Sequence, residues 1–216
     1  MPDAGRALAT AELGDLSRAA RDRVLEIYEE AFPARERDPF EAVLAASRAG
    51  GEIALVALEG DRPIGLAFLR RLEAVGCLLL EYFAVAADRR GAGVGRAFWQ
   101  TAVSALGERD AGSAIVLEVE DPNEPDIDAA QAEQRARRVR FWEQLGARML
   151  RLECFVVPNL GESGVGAMRL MWIGQASGAG EPSGRSLLEL IVAVYEEGYG
   201  LAPDHALVER ALRVLG

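Results

Sequence analysis

The chain of 216 residues is half hydrophobic and 27% charged, a folded globular composition long enough for one sizeable domain with an appendage. Its formal net charge of −10 argues against non-specific nucleic-acid binding and favours cationic partners. No apolar run approaches the ~20 residues of a membrane span. The opening MPDAGRALAT has no apolar h-region, and Cys77 and Cys154 sit in apolar runs as reduced core residues rather than a disulfide or metal pair. The expectation is a cytoplasmic protein with no nucleic-acid or membrane partner and no metal site.

Arg6–Thr10 reads as a short first strand. Leu16, Ala20, Val24, Ile27, Tyr28 and Ala31 then form the stripe of a helix that Pro33 ends. Asp38-Pro39 opens a second helix, with Asp38 as N-cap and Pro39 in its first turn, and Gly50-Gly51 stop it. Glu52–Leu58 and Pro63–Leu72 are strands joined by the hairpin signal Glu59-Gly60-Asp61-Arg62. Cys77–Val85 is a further strand, an apolar run interrupted by Glu81.

After Asp88-Arg89-Arg90 come Gly91, Gly93 and Gly95. A helix follows at once, with Val94, Ala97, Phe98, Ala102, Ala105 and Leu106 on one face. Glycines let a loop backbone approach a ligand, and the first helical turn offers unpaired N–H groups and a positive dipole end. Strand, Gly-rich loop and helix in this order suit a phosphate. There is no GxxxxGK[ST], and Gly91-x-Gly93-x-Gly95 lacks the spacing of a dinucleotide fingerprint.

Ser113–Glu120 is a strand, and DPNEPDID is a polar connection. From Glu118 to Asp128 there are six carboxylates and no basic residue. A helix with Ala132, Ala136, Val139, Trp142 and Leu145 on its buried face ends at Gly146, and carries Arg135, Arg137, Arg138 and Arg140. Those arginines can neutralise the acidic connection, or the connection can attract a cationic ligand. Arg148–Val157 and Ala167–Ile173 read as a final hairpin with a loop around Pro158–Gly166. Gly174–Gly184 is a linker. The stripes Leu187, Leu190, Ile191, Val194, Tyr195 and Ala206–Leu215 are two short helices, with Asp204 as N-cap of the second. Too small for a stable domain, they are expected to pack on the main domain or on a second subunit, as in a homodimer. His205, beside Asp204, is assigned no catalytic role.

Arg90-x-x-Gly93-x-Gly95 resembles the Q/R-x-x-G-x-G/A signature of the GNAT acetyltransferase superfamily. Tyr82-Phe83-Ala84-Val85 looks like its fourth strand, Phe141–Ala147 like its FYEKLGF, and Glu59–Gly65 like its turn between second and third strands. The match covers roughly residues 5–173 in the expected order. It implies an α/β fold with a mixed, mostly antiparallel central sheet flanked by helices over residues 1–173. A linker at 174–184 and a two-helix appendage at 185–216 would follow.

The resemblance also implies acetyl-CoA as co-substrate and a small-molecule or peptide amine as acceptor. The backbone of Arg90, Gly91, Ala92, Gly93, Val94, Gly95 and Arg96 would hold the pyrophosphate. Phe83 and Val85 hold the positions whose backbone would meet the thioester and the pantetheine arm. In the superfamily the first two helices and their link line the acceptor side. Glu81, with the side-chain parity of Phe83 and Val85, is the first choice for general base, and Glu118 and Glu120 are the second. The sequence departs from the family at Trp142, where a tyrosine acid is usual, and at Arg135, where asparagine is usual. Arg135 is either a cofactor-phosphate contact or an exposed helix arginine. Because an indole N–H is no acid, a non-catalytic acyl-CoA-binding module is the rival reading. An enzyme using a longer acyl-CoA is another.

Overall fold

The computed structural model describes residues 8–107, 110–152, 155–158, 165–174 and 180–215. The architecture is mixed α/β, with mostly antiparallel strands flanked by helices. Among the described residues no helix is long and apolar enough to cross a membrane. The chain divides into two compact units. One draws on Met1–Arg70 and Leu80–Ala111, the other on Arg71–Leu79 and Gly112–Gly216.

In the first unit, β1 (Leu8–Glu12) pairs antiparallel with β2 (Glu52–Glu59), and β2 with β3 (Arg62–Leu72). β4 (Cys77–Val85) lies beside β3. Gly60 turns the β2–β3 hairpin at φ 64°. Residues 53–57 and 63–69 are buried without alternation, the mark of strands covered on both faces. α1 (Arg18–Ala31) starts at Ser17, whose hydroxyl accepts the Ala20 N–H, and ends where Phe32 turns extended before Pro33. α2 (Phe40–Ala49) ends at Gly50, left-handed at φ 80°.

Val24, Ile27 and Tyr28 of α1 and Val43 and Leu44 of α2 share a core with Ala54, Val56, Leu66, Phe68, Tyr82 and Ala84. Phe83 instead stacks on Phe98 of α3 (Val94–Ala105), with ring centroids 5.2 Å apart. Since successive strand residues point to opposite faces, α3 covers the face of β4 away from α1 and α2.

Asp38 does not cap α2. The helix begins one residue later, after Pro39, and receives no side-chain cap. The Asp38 backbone is engaged elsewhere: its N–H donates to the Tyr82 hydroxyl (3.0 Å) and its carbonyl accepts from the Tyr28 hydroxyl (3.2 Å). Its carboxylate faces Arg70.

In the second unit, β5 (Ile115–Glu120) runs antiparallel to β8 (Val165–Ile173), from Ile115↔Ile173 to Glu120↔Met168. The strand expected over Arg148–Val157 is broken. β6 (Arg148–Met149) and β7 (Phe155–Pro158) pair separately with β8. Leu152 N–H turns back onto Leu150 O at 2.9 Å, a tight turn that takes the backbone out of the strand ladder there, although both leucines stay buried. Cys154, residues 159–164 of the expected loop and residues 175–179 of the expected linker lie outside the described residues.

α4 (Ala129–Glu143) opens on a capping box. Asp128 accepts the Gln131 N–H, and Gln131 accepts the Asp128 N–H. After α4, Gly146 turns the chain at φ 93°.

α5 (Arg185–Ala193) continues into one wide π turn, Val194–Gly198, and α6 (Ala206–Leu215) follows. Leu187, Leu190, Ile191, Val194, Tyr195 and Val208 share a core with Leu72, Leu79, Val116, Leu150 and Leu170. The C-terminal helices are thus packed on the strands of the second unit. The Glu197 carboxylate accepts the N–H groups of Glu73 and Ala74, tying the π turn to the chain between β3 and β4. At the start of α6, His205 Nδ1 rather than Asp204 accepts the Leu207 N–H.

Candidate active site

The Gly-rich segment is built as a turn into a helix. After a 3-10 turn at Ala87–Arg89, Gly91 and Gly93 take φ 82° and 78°, and α3 begins at Val94 with no side chain capping it. Most side chains are disfavoured at such φ. A Cβ at either glycine would meet nothing within 4 Å, so the backbone here is open to an approaching group. Gly95 lies in the first turn of the helix, and Ala92, Val94 and Arg96 complete the stretch. The Arg90 side chain is turned back: its Nε donates to Val85 O at 2.9 Å, fastening the loop to the end of β4. Beneath this junction Gly65 of β3 lies so close to β4 that a Cβ there would stand 2.8 Å from Ala84 O and 3.3 Å from the Phe98 ring.

Glu81 interrupts β4 as the only charge in that strand. Its carboxylate is 10% exposed, and Oε1 accepts from Arg70 Nε at 2.5 Å while Oε2 is buried without a partner. Arg70 Nη2 meets Glu52 at 2.6 Å and Asp38 at 3.8 Å. Arg70 stands directly opposite Glu52 in the β2–β3 register. Glu52 is 3% exposed at its side chain, and its Oε2 too lacks a partner. Burial pushes Glu81 up to about 8. Arg70 opposes that shift, while Glu52 and Asp38 add to it. Glu52 is likewise raised, first by burial. The Tyr82 hydroxyl is pushed up to about 12, chiefly by burial, and stays neutral. An aromatic group surrounds it: Tyr28 and Phe32 meet Tyr82 edge-on at 4.9 and 5.1 Å.

Glu118 and Glu120 have partners of their own. Glu118 accepts from the Tyr199 hydroxyl at 2.5 Å, and its other oxygen is buried without a partner. Burial raises it to about 7 against the lowering effect of Tyr199. Glu120 pairs with Arg138 and, at 3.6 Å, with Arg135. The rest of the acidic connection is drawn into similar contacts. Arg135 reaches Glu124 at 2.5 Å and Asp121 O at 2.9 Å, Arg169 reaches Asp121 at 3.3 Å, and Asp128 caps α4. Arginine neutralisation therefore accounts for much of this charge. Arg135, 15% exposed, is not a solvated helix arginine but ties the β5–α4 connection together. Trp142 is buried at 4% exposure, with its ring edge-on to Phe141 at 5.0 Å.

Arg70 and Glu52 were not singled out by sequence, and Asp38 was read only as a helix cap. The available signal was a charge at the end of an apolar run: Glu52 opens β2 ahead of buried residues, and Arg70 follows the buried stretch of β3. Pairing them needs the strand register, which sequence alone leaves open. Tyr199 was missed because only the π turn aims it at Glu118.

The comparisons with known proteins bear on the family and the fold. The Acetyltransferase (GNAT) family profile matches residues 21–147. Among solved structures, a protein assigned to that family from Bacteroides thetaiotaomicron aligns with a TM-score of 0.69 at 21% identity, covering 91% of this chain and 99% of that one. Another assigned to it, from Desulfovibrio desulfuricans, aligns at 0.57 and 21% identity over 78% and 99% of the two chains. An aminoglycoside 6′-N-acetyltransferase complexed with coenzyme A aligns at 0.58 and 16% identity over 79% and 99%. At these identities the structures speak for the fold alone. No curated protein matches the chain. With its profile match extending over more than half its length, the chain belongs to the acetyltransferase (GNAT) family.

Proposed function

We propose that the protein transfers an acetyl group from acetyl-CoA to a primary amine, with Glu81 as the proton acceptor. The observation that carries this reading is the Glu81 carboxylate. It is buried on the strand that leads into the Gly-rich loop, has one oxygen unpartnered, and is raised to about 8. A general base works best when its proton affinity lies near the working pH.

The acceptor arrives as an ammonium, which makes it cationic, in keeping with the net charge of −10. Glu81 Oε2 takes a proton from the nitrogen, and the freed lone pair attacks the thioester carbon. The carbonyl oxygen becomes an oxyanion, the nitrogen gives up its second proton to water, the C–S bond breaks as the carbonyl re-forms, and CoA departs as a thiolate. The backbone of Arg90–Arg96, opened by Gly91 and Gly93, would receive the pyrophosphate, with the uncapped start of α3 adding its N–H groups. The N–H groups of Phe83 and Val85 would meet the acyl-pantetheine end. With Trp142 at the tyrosine position, no acid is assigned to the thiolate. A thiol ionises at about 8.5 in water, so it can leave unprotonated and take its proton from solvent.

The test mixes pure protein with acetyl-CoA, longer acyl-CoAs and a panel of primary amines while free thiol is followed. Turnover is expected with at least one cationic amine. Glu81→Gln should lower it by about 10²–10⁴-fold with the affinity for CoA unchanged. CoA binding without turnover across the panel would favour the acyl-CoA-binding module that Trp142 suggests. Wild-type rates in Glu81→Gln would remove Glu81 as base and turn attention to Glu118 and Glu120.

A further inference from the structure

Three carboxylates share one guanidinium in the first unit: Glu81 on Nε at 2.5 Å, Glu52 on Nη2 at 2.6 Å and Asp38 near Nη2 at 3.8 Å. They come from β4, β2 and the segment before α2, and Arg70 itself from β3. Two are buried with one oxygen each unpartnered. A pairing made only to stabilise the fold would need one carboxylate for one arginine. A second fully buried carboxylate on the same cation costs desolvation that the shared pairing does not fully offset.

We infer that Glu52 is a positioning residue for the transfer: by holding Nη2 of Arg70 it divides the guanidinium between two buried carboxylates and leaves Glu81 able to accept a proton. This rests on the reading of Glu81 as the base. An arginine facing one carboxylate strongly favours its ionised form, which is a poor proton acceptor. Arg70 is needed all the same, because it orients the Glu81 carboxylate through Oε1 and leaves Oε2 free. Glu52 resolves the conflict. It takes up part of the positive charge and, as a like charge in the same low-dielectric site, opposes ionisation of Glu81. Burial, Glu52 and Asp38 raise Glu81, and Arg70 lowers it. The other titratable groups around the cluster, the Tyr82 and Tyr28 hydroxyls, are both raised and remain neutral, so they do not confuse the titration.

The experiment is a carbon-13 NMR titration of the full chain labelled at the glutamate carboxyl carbons, from pH 5 to 10. Glu81→Gln identifies the Glu81 resonance. In the wild type it should titrate near 8. In Glu52→Gln, which keeps the shape and removes the charge, the midpoint should fall by ~1 pH unit or more. Glu52→Asp should return it toward the wild-type value. Arg70→Gln should move it the opposite way, upward, and this variant decides the matter should Glu52→Gln not fold. With an amine from the panel, the rising limb of kcat/KM against pH should shift with the NMR midpoint, since the titration of the amine is common to all variants. An unmoved midpoint in Glu52→Gln, or a downward one in Arg70→Gln, overturns the inference while leaving Glu81 as base. Activity that is unchanged in Glu81→Gln overturns the base assignment itself, and the inference with it.

Discussion

Gly65→Ala is the substitution whose outcome the packing specifies most sharply. The added methyl would stand 2.8 Å from Ala84 O and 3.3 and 3.4 Å from two carbons of the Phe98 ring. The carbonyl is backbone and cannot rotate away, so β4 must move. Overpacking of this kind costs ~1–3 kcal/mol. Against it stands the lower entropy of the unfolded alanine chain, worth ~0.4–1 kcal/mol in favour of the variant. The clash wins, leaving a net loss of ~1–2 kcal/mol. For a chain of this size that lowers Tm by roughly 2–8 °C. The effect should reach the cofactor as well. Ala84 C=O and Val85 N–H belong to one peptide unit, and Val85 N–H is a proposed acyl-CoA contact, so affinity for CoA should fall severalfold. Differential scanning calorimetry and titration calorimetry measure the two effects. Gly51→Ala is the control, because its Cβ would come no nearer than 3.8 Å, to Ala46 O, and it should be neutral or slightly stabilising. A Gly65→Ala protein with wild-type Tm and CoA affinity would refute the close approach of β3 to β4.

Gly93→Asp should abolish CoA binding in a protein that still folds, because it places a side chain at φ 78° and a carboxylate beside the pyrophosphate; calorimetry showing unchanged affinity would refute the loop assignment. Glu118 is raised from 4.5 to about 7, so the stability it contributes is full below pH 4.5 and is lost as pH rises through 7, on the order of 3 kcal/mol in all. Glu118→Gln should therefore flatten the fall of Tm between pH 5 and 8, and an unchanged slope would show that Glu118 is not the group responsible. Asp128→Ala removes the N-cap of α4 and should cost ~1 kcal/mol in a denaturant melt, with Asp128→Asn largely restoring it.

The local order of elements was legible because each rests on short-range chemistry. Pro33 and Gly50 end helices for reasons of backbone geometry alone, Glu59–Arg62 turns because Gly60 can take φ 64°, and the glycines before α3 announce a loop of positive φ. Glu81 stood out because a charge in an apolar strand has to be accounted for. Its partners were not legible. Glu52 and Arg70 meet through an antiparallel register, and Asp38 joins them only because its backbone is held by Tyr28 and Tyr82 instead of opening α2. The same holds for the break at Leu150–Leu152, where Leu152 N–H turns back onto Leu150 O inside an apolar pattern that still reads as a strand, and for the acidic connection, whose charge could be read either way until Arg135, Arg138 and Arg169 were seen to meet it. Periodicity, caps and glycines act over a few residues and so are written in the chain. Proton affinity and charge balance depend on groups far apart in sequence, and only the tertiary structure brings them within the few ångströms over which they act.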